Sequence, residues 1–121
     1  MCEEREAVAN VYARVSEVGQ RIRSHPESAW SVEELARISA VSSFHFTRMF
    51  KKIFGCPPYR YLLKCRIEKS MRLLEQSNAS ISEIALECGF SDAAAFSKSF
   101  RKWKKITPGA YRYFASFQDQ R

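Results

Sequence analysis

Acidic residues are missing from two long stretches of this 121-residue chain. Residues 35–67 and 93–118 contain no Asp or Glu, yet they hold seven and six Lys or Arg. Glycine is scarce, four in all, and no glycine-rich loop of the kind that cradles phosphates is present. There are two histidines, His25 and His45, and no arrangement of nucleophile and base, so an enzyme finds little support. The four cysteines, Cys2, Cys56, Cys65 and Cys88, form no CxxC pair and give no metal spacing with the histidines. Reduced thiols are expected, the last three at or near the core, with no metal and no cofactor. No apolar run approaches the roughly 20 residues of a membrane helix, and the start MCEEREAVAN is acidic where a signal peptide is basic and then apolar. A soluble cytoplasmic protein is the expectation.

What is present is basic charge, unevenly spread. The net charge is +7, and residues 31–121 carry 16 of the 20 basic but only 8 of the 13 acidic residues. An acid-free basic surface attracts polyanions such as nucleic acid or anionic lipid. A solvated face that aids solubility is the plainer reading of one such window, but two windows in matching positions argue against it. With 45% hydrophobic residues the chain can form one compact domain or two very small ones sharing a core.

The windows match because the sequence is duplicated. SSFHFTRMFKK at residues 42–52 returns as AAFSKSFRK at residues 94–102. Upstream, WSVEEL has Ser31 and Glu34 placed as a capping box, with Trp30 and Leu35 as a hydrophobic staple. SISEIA repeats this 49 residues later with Ser80 and Glu83. Short breaks follow, SAVS and CGFS, and each leads into a helix expected to be serine-capped. Phe46, Met49, Phe50 and Ile53 form one apolar stripe; Phe96, Phe100 and Trp103 form the other, offset by 50 because one residue has been added. Pro58 and Tyr61 match Pro108 and Tyr111. Each unit therefore reads as helix, tight turn, helix, closing proline. Before the first unit, Val8, Val11, Tyr12, Val15, Val18 and Ile22 predict an amphipathic helix ending before Pro26. Between the units, Leu63, Ile67, Met71 and Leu74 predict a helix from Pro58 to about Gln76, about 28 Å long. That length is comparable with one turn of B-DNA, about 34 Å.

At 100° per residue the face opposite Phe46 and Phe50 carries Phe44, Thr47, Arg48 and Lys51, and its counterpart carries Ala94, Ser97, Lys98 and Arg101. The first set suits a major groove. Arg48 can bond bidentately to guanine, Phe44 and the Thr47 methyl can touch a thymine methyl, and Lys51 can reach a phosphate. In the second set Ala93, Ala94 and Ala95 permit close approach without side-chain hydrogen bonds. The base-reading candidates are Phe44, Thr47, Arg48, Ala93, Ala94, Ser97 and Lys98. Candidates for phosphate are Ser43, His45, Lys51, Lys52, Arg101 and Lys102. The bland alternatives are a Phe44 packed at the helix edge, an Arg48 in a surface salt bridge, a partly packed His45, and plain surface charge at Lys52 and Lys102.

The strings RIEKSMRLL, ISEIALECGFSDAAAFSKSF and TPGAYR resemble the second half of the DNA-binding domain of the AraC/XylS family of bacterial transcription regulators. SVEELARISAVSSFHFTRMFKKIFG resembles its first half, and the likeness covers residues 7–114. Two departures are Ala40, where a turn glycine is frequent and of which Gly89 is the counterpart, and Ser70, where alanine is common. The resemblance implies an all-α, homeodomain-like fold of about seven helices. Its single domain, residues 1–121, would comprise a first helix-turn-helix unit (5–56), a linker helix (57–77) and a second unit (78–117). It further implies a monomer, unless a further domain dimerises it, placing helices 43–54 and 92–104 in successive major grooves of double-stranded promoter DNA. Activation would proceed through RNA polymerase, in the cytoplasm at the nucleoid. The rival classes are non-specific nucleic-acid binding, attachment to anionic membrane surfaces, RNA binding and a protein scaffold.

Overall fold

The computed structural model describes the backbone of residues 2–118 and the side chains of residues 9–118. Val8 of the first predicted stripe and the Cys2 thiol fall outside the described side chains. The described residues form seven helices: α1 Cys2–Ser24, α2 Val32–Ile38, α3 Ser43–Phe54, α4 Pro58–Gln76, α5 Ile81–Glu87, α6 Ala93–Lys104 and α7 Pro108–Gln118. None is long and apolar enough to cross a membrane. The chain divides into two compact units, Met1–Leu62 and Leu63–Arg121, the division falling within α4.

The helix starts follow their capping chemistry. Ser31 Oγ accepts the Glu34 N–H at 3.2 Å and Ser42 Oγ accepts the His45 N–H at 3.1 Å. Each thereby satisfies one backbone donor that lacks an intrahelical partner. At Ser80 the box is closed in both directions, Glu83 accepting the Ser80 N–H. At Ser31 only the serine half is made. The second-unit helix α6 departs from the expected serine cap. Asp92 holds that position and accepts the Ala95 N–H at 2.7 Å. The extra residue in that break moves Ser91 one place too early, and a carboxylate at a helix N-terminus also gains from the helix dipole.

Both short helices end in the same turn. In the first, the Ala40 N–H bonds to Arg37 O and the Val41 N–H to Ala36 O; in the second, Gly89 bonds to Leu86 O and Phe90 to Ala85 O. This pairing is the Schellman motif, which needs a left-handed residue in its middle. Ala40 and Gly89 supply it, with φ of 59° and 93°.

In the first unit the core is Val15, Val18, Ile22, Leu35, Ala36, Phe46, Phe50 and Leu62. Trp30 packs onto this core, of which Leu35, its expected staple partner, is a member. Gly19 lets α1 approach α3 closely, since a Cβ there would collide with the Phe54 ring. That ring is held by Phe50, stacked at 4.4 Å, and by Tyr61 at 4.9 Å. In the second unit the core is Ile67, Leu74, Ile84, Ala85, Cys88, Phe90, Phe96 and Phe100. The duplication extends to ring geometry. Tyr61 meets Phe50 edge-on at 5.4 Å, and Tyr111 meets Phe100 edge-on at 5.5 Å. Cys65 and Cys88 are buried and Cys56 half-buried, and none of the three is joined in a disulfide. Buried Ser70 donates its hydroxyl to Ile67 O at 2.6 Å, which makes a polar group tolerable there.

Candidate nucleic-acid interface

Burial of one face decides what the other can do. Phe46 and Phe50 on α3, and Phe96 and Phe100 on α6, are fully buried, which turns the basic residues of each helix outward. The apolar faces are consumed by the two cores, so neither helix retains the free apolar stripe that membrane-surface attachment requires. On α3, Ser43, Phe44, His45, Arg48, Lys51 and Lys52 are exposed and Thr47 is half-buried. On α6, Ala94, Lys98, Arg101 and Lys102 are exposed, with Ala93 and Ser97 half-buried. The structure brings the first seven together on one helix and the other six on the second.

Three expectations are sharpened. Phe44 is 72% exposed and belongs to no core cluster, which removes the reading of a ring packed at the helix edge. Among the described residues Arg48 is paired with no carboxylate; its guanidinium lies over the Phe44 ring, 5.6 Å from the centroid. His45 is exposed, not partly packed, and joins Phe44, Arg48, Met49 and Lys52 around a shallow depression. On α6 a corresponding depression is lined by Ser97, Lys98, Arg101, Lys102 and Thr107. Among the described residues no cluster of His, Cys, Asp and Glu is gathered that could hold a metal ion.

The sequence did not reveal a set of cations used inside the fold. Arg112 belongs to the second acid-free window, but its Nε donates to Leu74 O and its Nη2 to Ser77 O, each at 3.2 Å, closing the end of α4. Arg14 Nε donates to Ser39 O at 3.0 Å at the end of α2, and Lys69 Nζ to Glu87 O at 3.1 Å at the end of α5. Each cation faces the negative end of a helix dipole. Beside Arg112, Tyr111 donates its hydroxyl to the Glu75 carboxylate; partial burial and that carboxylate push its pKa up to about 12.

Two turn-linked helix pairs, each with an outward basic second helix, are matched by known proteins. A helix-turn-helix domain family model fits residues 35–113, most of the chain, and the DNA-binding domain of AdpA, solved in complex with a target DNA, superposes with a TM-score of 0.80 at 33% identity, covering 88% of this chain and 95% of that one. The chain belongs to the AraC-type helix-turn-helix family. An AraC-type regulator from Chromobacterium violaceum gives a TM-score of 0.77 at 31% identity, over 85% of this chain and 92% of its own. A Haemophilus influenzae relative described as an uncharacterized HTH-type transcriptional regulator is 36% identical over 91 residues, 75% of this chain and 30% of that protein. The chain thus spans about a third of the length of the curated relatives it matches.

Proposed function

We propose that the chain binds duplex DNA sequence-specifically and regulates transcription, with α3 and α6 as the two recognition helices. The observation that carries this reading is the matched placement of exposed cations on two helices whose opposite faces are fully buried. Arg48 and Lys51 stand where Lys98 and Arg101 stand 50 residues later. Cations spaced along an exposed helix serve phosphate contacts, while Arg48, Phe44 and Thr47 offer groups that distinguish base edges. The AdpA domain, bound to its target DNA, supports the same use of the fold.

In this reading the units enter successive major grooves as a monomer, in the cytoplasm, and activate promoters through contact with RNA polymerase. The tandem, non-identical units call for an asymmetric site of two elements about 10 base pairs apart. Selection from a random DNA pool, followed by titration of the recovered site, tests this. With about 6 to 10 phosphates neutralised, log K falls against log salt with a slope of roughly −5 to −9. Inserting about five base pairs between the elements drops affinity toward the non-specific level. A flat salt response sinks DNA binding, and unchanged affinity for the split site sinks two-groove insertion.

A further inference from the structure

Scattered exposed apolar side chains are ordinary on protein surfaces. Phe44 stands out because of what it touches. It is the second residue of α3, in the turn fixed by the Ser42 cap, and Arg48 follows four residues later on the same face. Its ring serves no core cluster, is 72% exposed, and lies under the Arg48 guanidinium at 5.6 Å. A cation over an aromatic face is attracted by the ring's quadrupole, and a side chain held in this way surrenders less freedom on binding. The second unit lacks the arrangement: Ala94 stands where Phe44 stands and Lys98 where Arg48 stands.

We propose that Phe44 is a positioning residue whose ring fixes the Arg48 guanidinium, and that the pair reads a guanine whose neighbouring base pair carries a C5-methylated pyrimidine. The inference rests on α3 entering the major groove. A guanidinium bonded to guanine O6 and N7 lies in the plane of that base. A ring facing it from one side then occupies the layer of the adjacent base pair. The variable group on a pyrimidine edge in that layer is at C5, methylated in thymine and 5-methylcytosine and bare in uracil and cytosine. The ring buries itself against a methyl, whereas a bare C5 leaves it in water. Recognition therefore extends over a step: guanine through hydrogen bonds, the C5 methyl beside it through apolar contact, with the two coupled through the cation–π pair.

The test uses the full chain and its selected duplex. The guanine is the position whose preference disappears in Arg48→Ala. At both flanking pairs, thymine, deoxyuridine, 5-methylcytosine and cytosine are compared by fluorescence anisotropy. Wild-type protein is expected to favour the methylated base of each pair by about three- to tenfold at one flank. Phe44→Ala is expected to be blind to the methyl and to lose part of its preference for guanine. Phe44→Leu separates contact from positioning: it keeps a methyl preference but loses the same part of guanine discrimination, since leucine has no ring face for the guanidinium. Because Phe44 lies outside both cores, circular dichroism of these variants should match wild type. Full guanine preference in Phe44→Ala, or additive effects in the Phe44→Ala, Arg48→Ala double variant, overturns the inference while leaving DNA reading by α3 intact. Failure of wild-type protein to select any sequence overturns both.

Discussion

Ala40 and Gly89 hold the same position in the two turns, and both backbones are left-handed, at φ 59° and 93°. A Cβ in that region costs roughly 1–2 kcal/mol, and the extra freedom of glycine in the unfolded chain costs about 0.5–1 kcal/mol. Ala40→Gly is therefore expected to stabilise the protein by about 0.5–1 kcal/mol, and Gly89→Ala to destabilise it by a similar amount. Urea midpoints moving in opposite directions at constant slope would verify this.

Ser39 is fully buried, and among the described residues its hydroxyl has no hydrogen-bond partner. The equivalent site in the second unit holds Cys88, a small residue with weak hydrogen-bonding demands. Ser39→Ala removes an unsatisfied polar atom at little cost in volume, and a gain of about 1 kcal/mol is expected. Ser70→Ala is the control, because that hydroxyl already bonds Ile67 O. A larger gain at Ser70 than at Ser39 in thermal denaturation would contradict the assignment.

Arg112 lies in a basic stretch but bonds backbone carbonyls within its own unit. Arg112→Ala should lower stability by about 1–2 kcal/mol through loss of charge-assisted bonds at the end of α4, and leave the salt slope of DNA binding unchanged. Lys102→Ala should do the reverse, with stability within about 0.5 kcal/mol and a slope smaller by about 1. Denaturation and salt titration of the two variants distinguish the roles.

Tyr111 has a pKa raised from 10.0 to about 12 by partial burial and by the Glu75 carboxylate that accepts its hydrogen bond. A raised folded-state value means the unfolded chain loses this proton first as pH rises. The contribution of this proton to stability is fully present below pH 10 and is lost as pH rises through about 12. Ultraviolet titration should show a late-ionising phenol that is lost in Tyr111→Phe, whose stability should also decline less across that window.

Much of this architecture follows from local chemistry. The starts of α2, α3, α4 and α5 lie where Ser31, Ser42, Pro58 and Ser80 place them, and 100° geometry separates Phe46 and Phe50 from Arg48 and Lys51. The features that escaped have physical reasons. Leu62 and Leu63 are adjacent on α4 but serve different cores, so the helix lacks a single apolar stripe. The caps from Arg14 and Arg112 join residues 25 to 38 positions apart, where no periodicity links donor and acceptor. Alanine at position 40 and lysine at 105 carry no turn signal, yet both are left-handed because helix ends impose it. The contact between Phe44 and Arg48 adds something that facing direction alone does not: the two side chains act on one another.

In the proposed reading, α3 and α6 should differ in what they read. Arg48→Ala is expected to cost on the order of 1–3 kcal/mol and to relax preference at one base pair, because a bidentate contact to guanine is lost. Lys51→Ala should weaken all sequences alike. Lys98 is exposed on a helix whose opening residues, Ala93 to Ala95, offer no side-chain hydrogen bonds to fix a register of base contacts around it. Lysine also lacks the planar fork that makes arginine selective. Lys98→Ala should therefore weaken binding across sequences and reduce the salt slope by about 1, the signature of a lost phosphate contact. A panel of single-base substitutions measured against both variants decides the matter: if Lys98→Ala alters specificity more than Arg48→Ala does, α6 reads bases through its lysine and the division of labour between the helices is reversed.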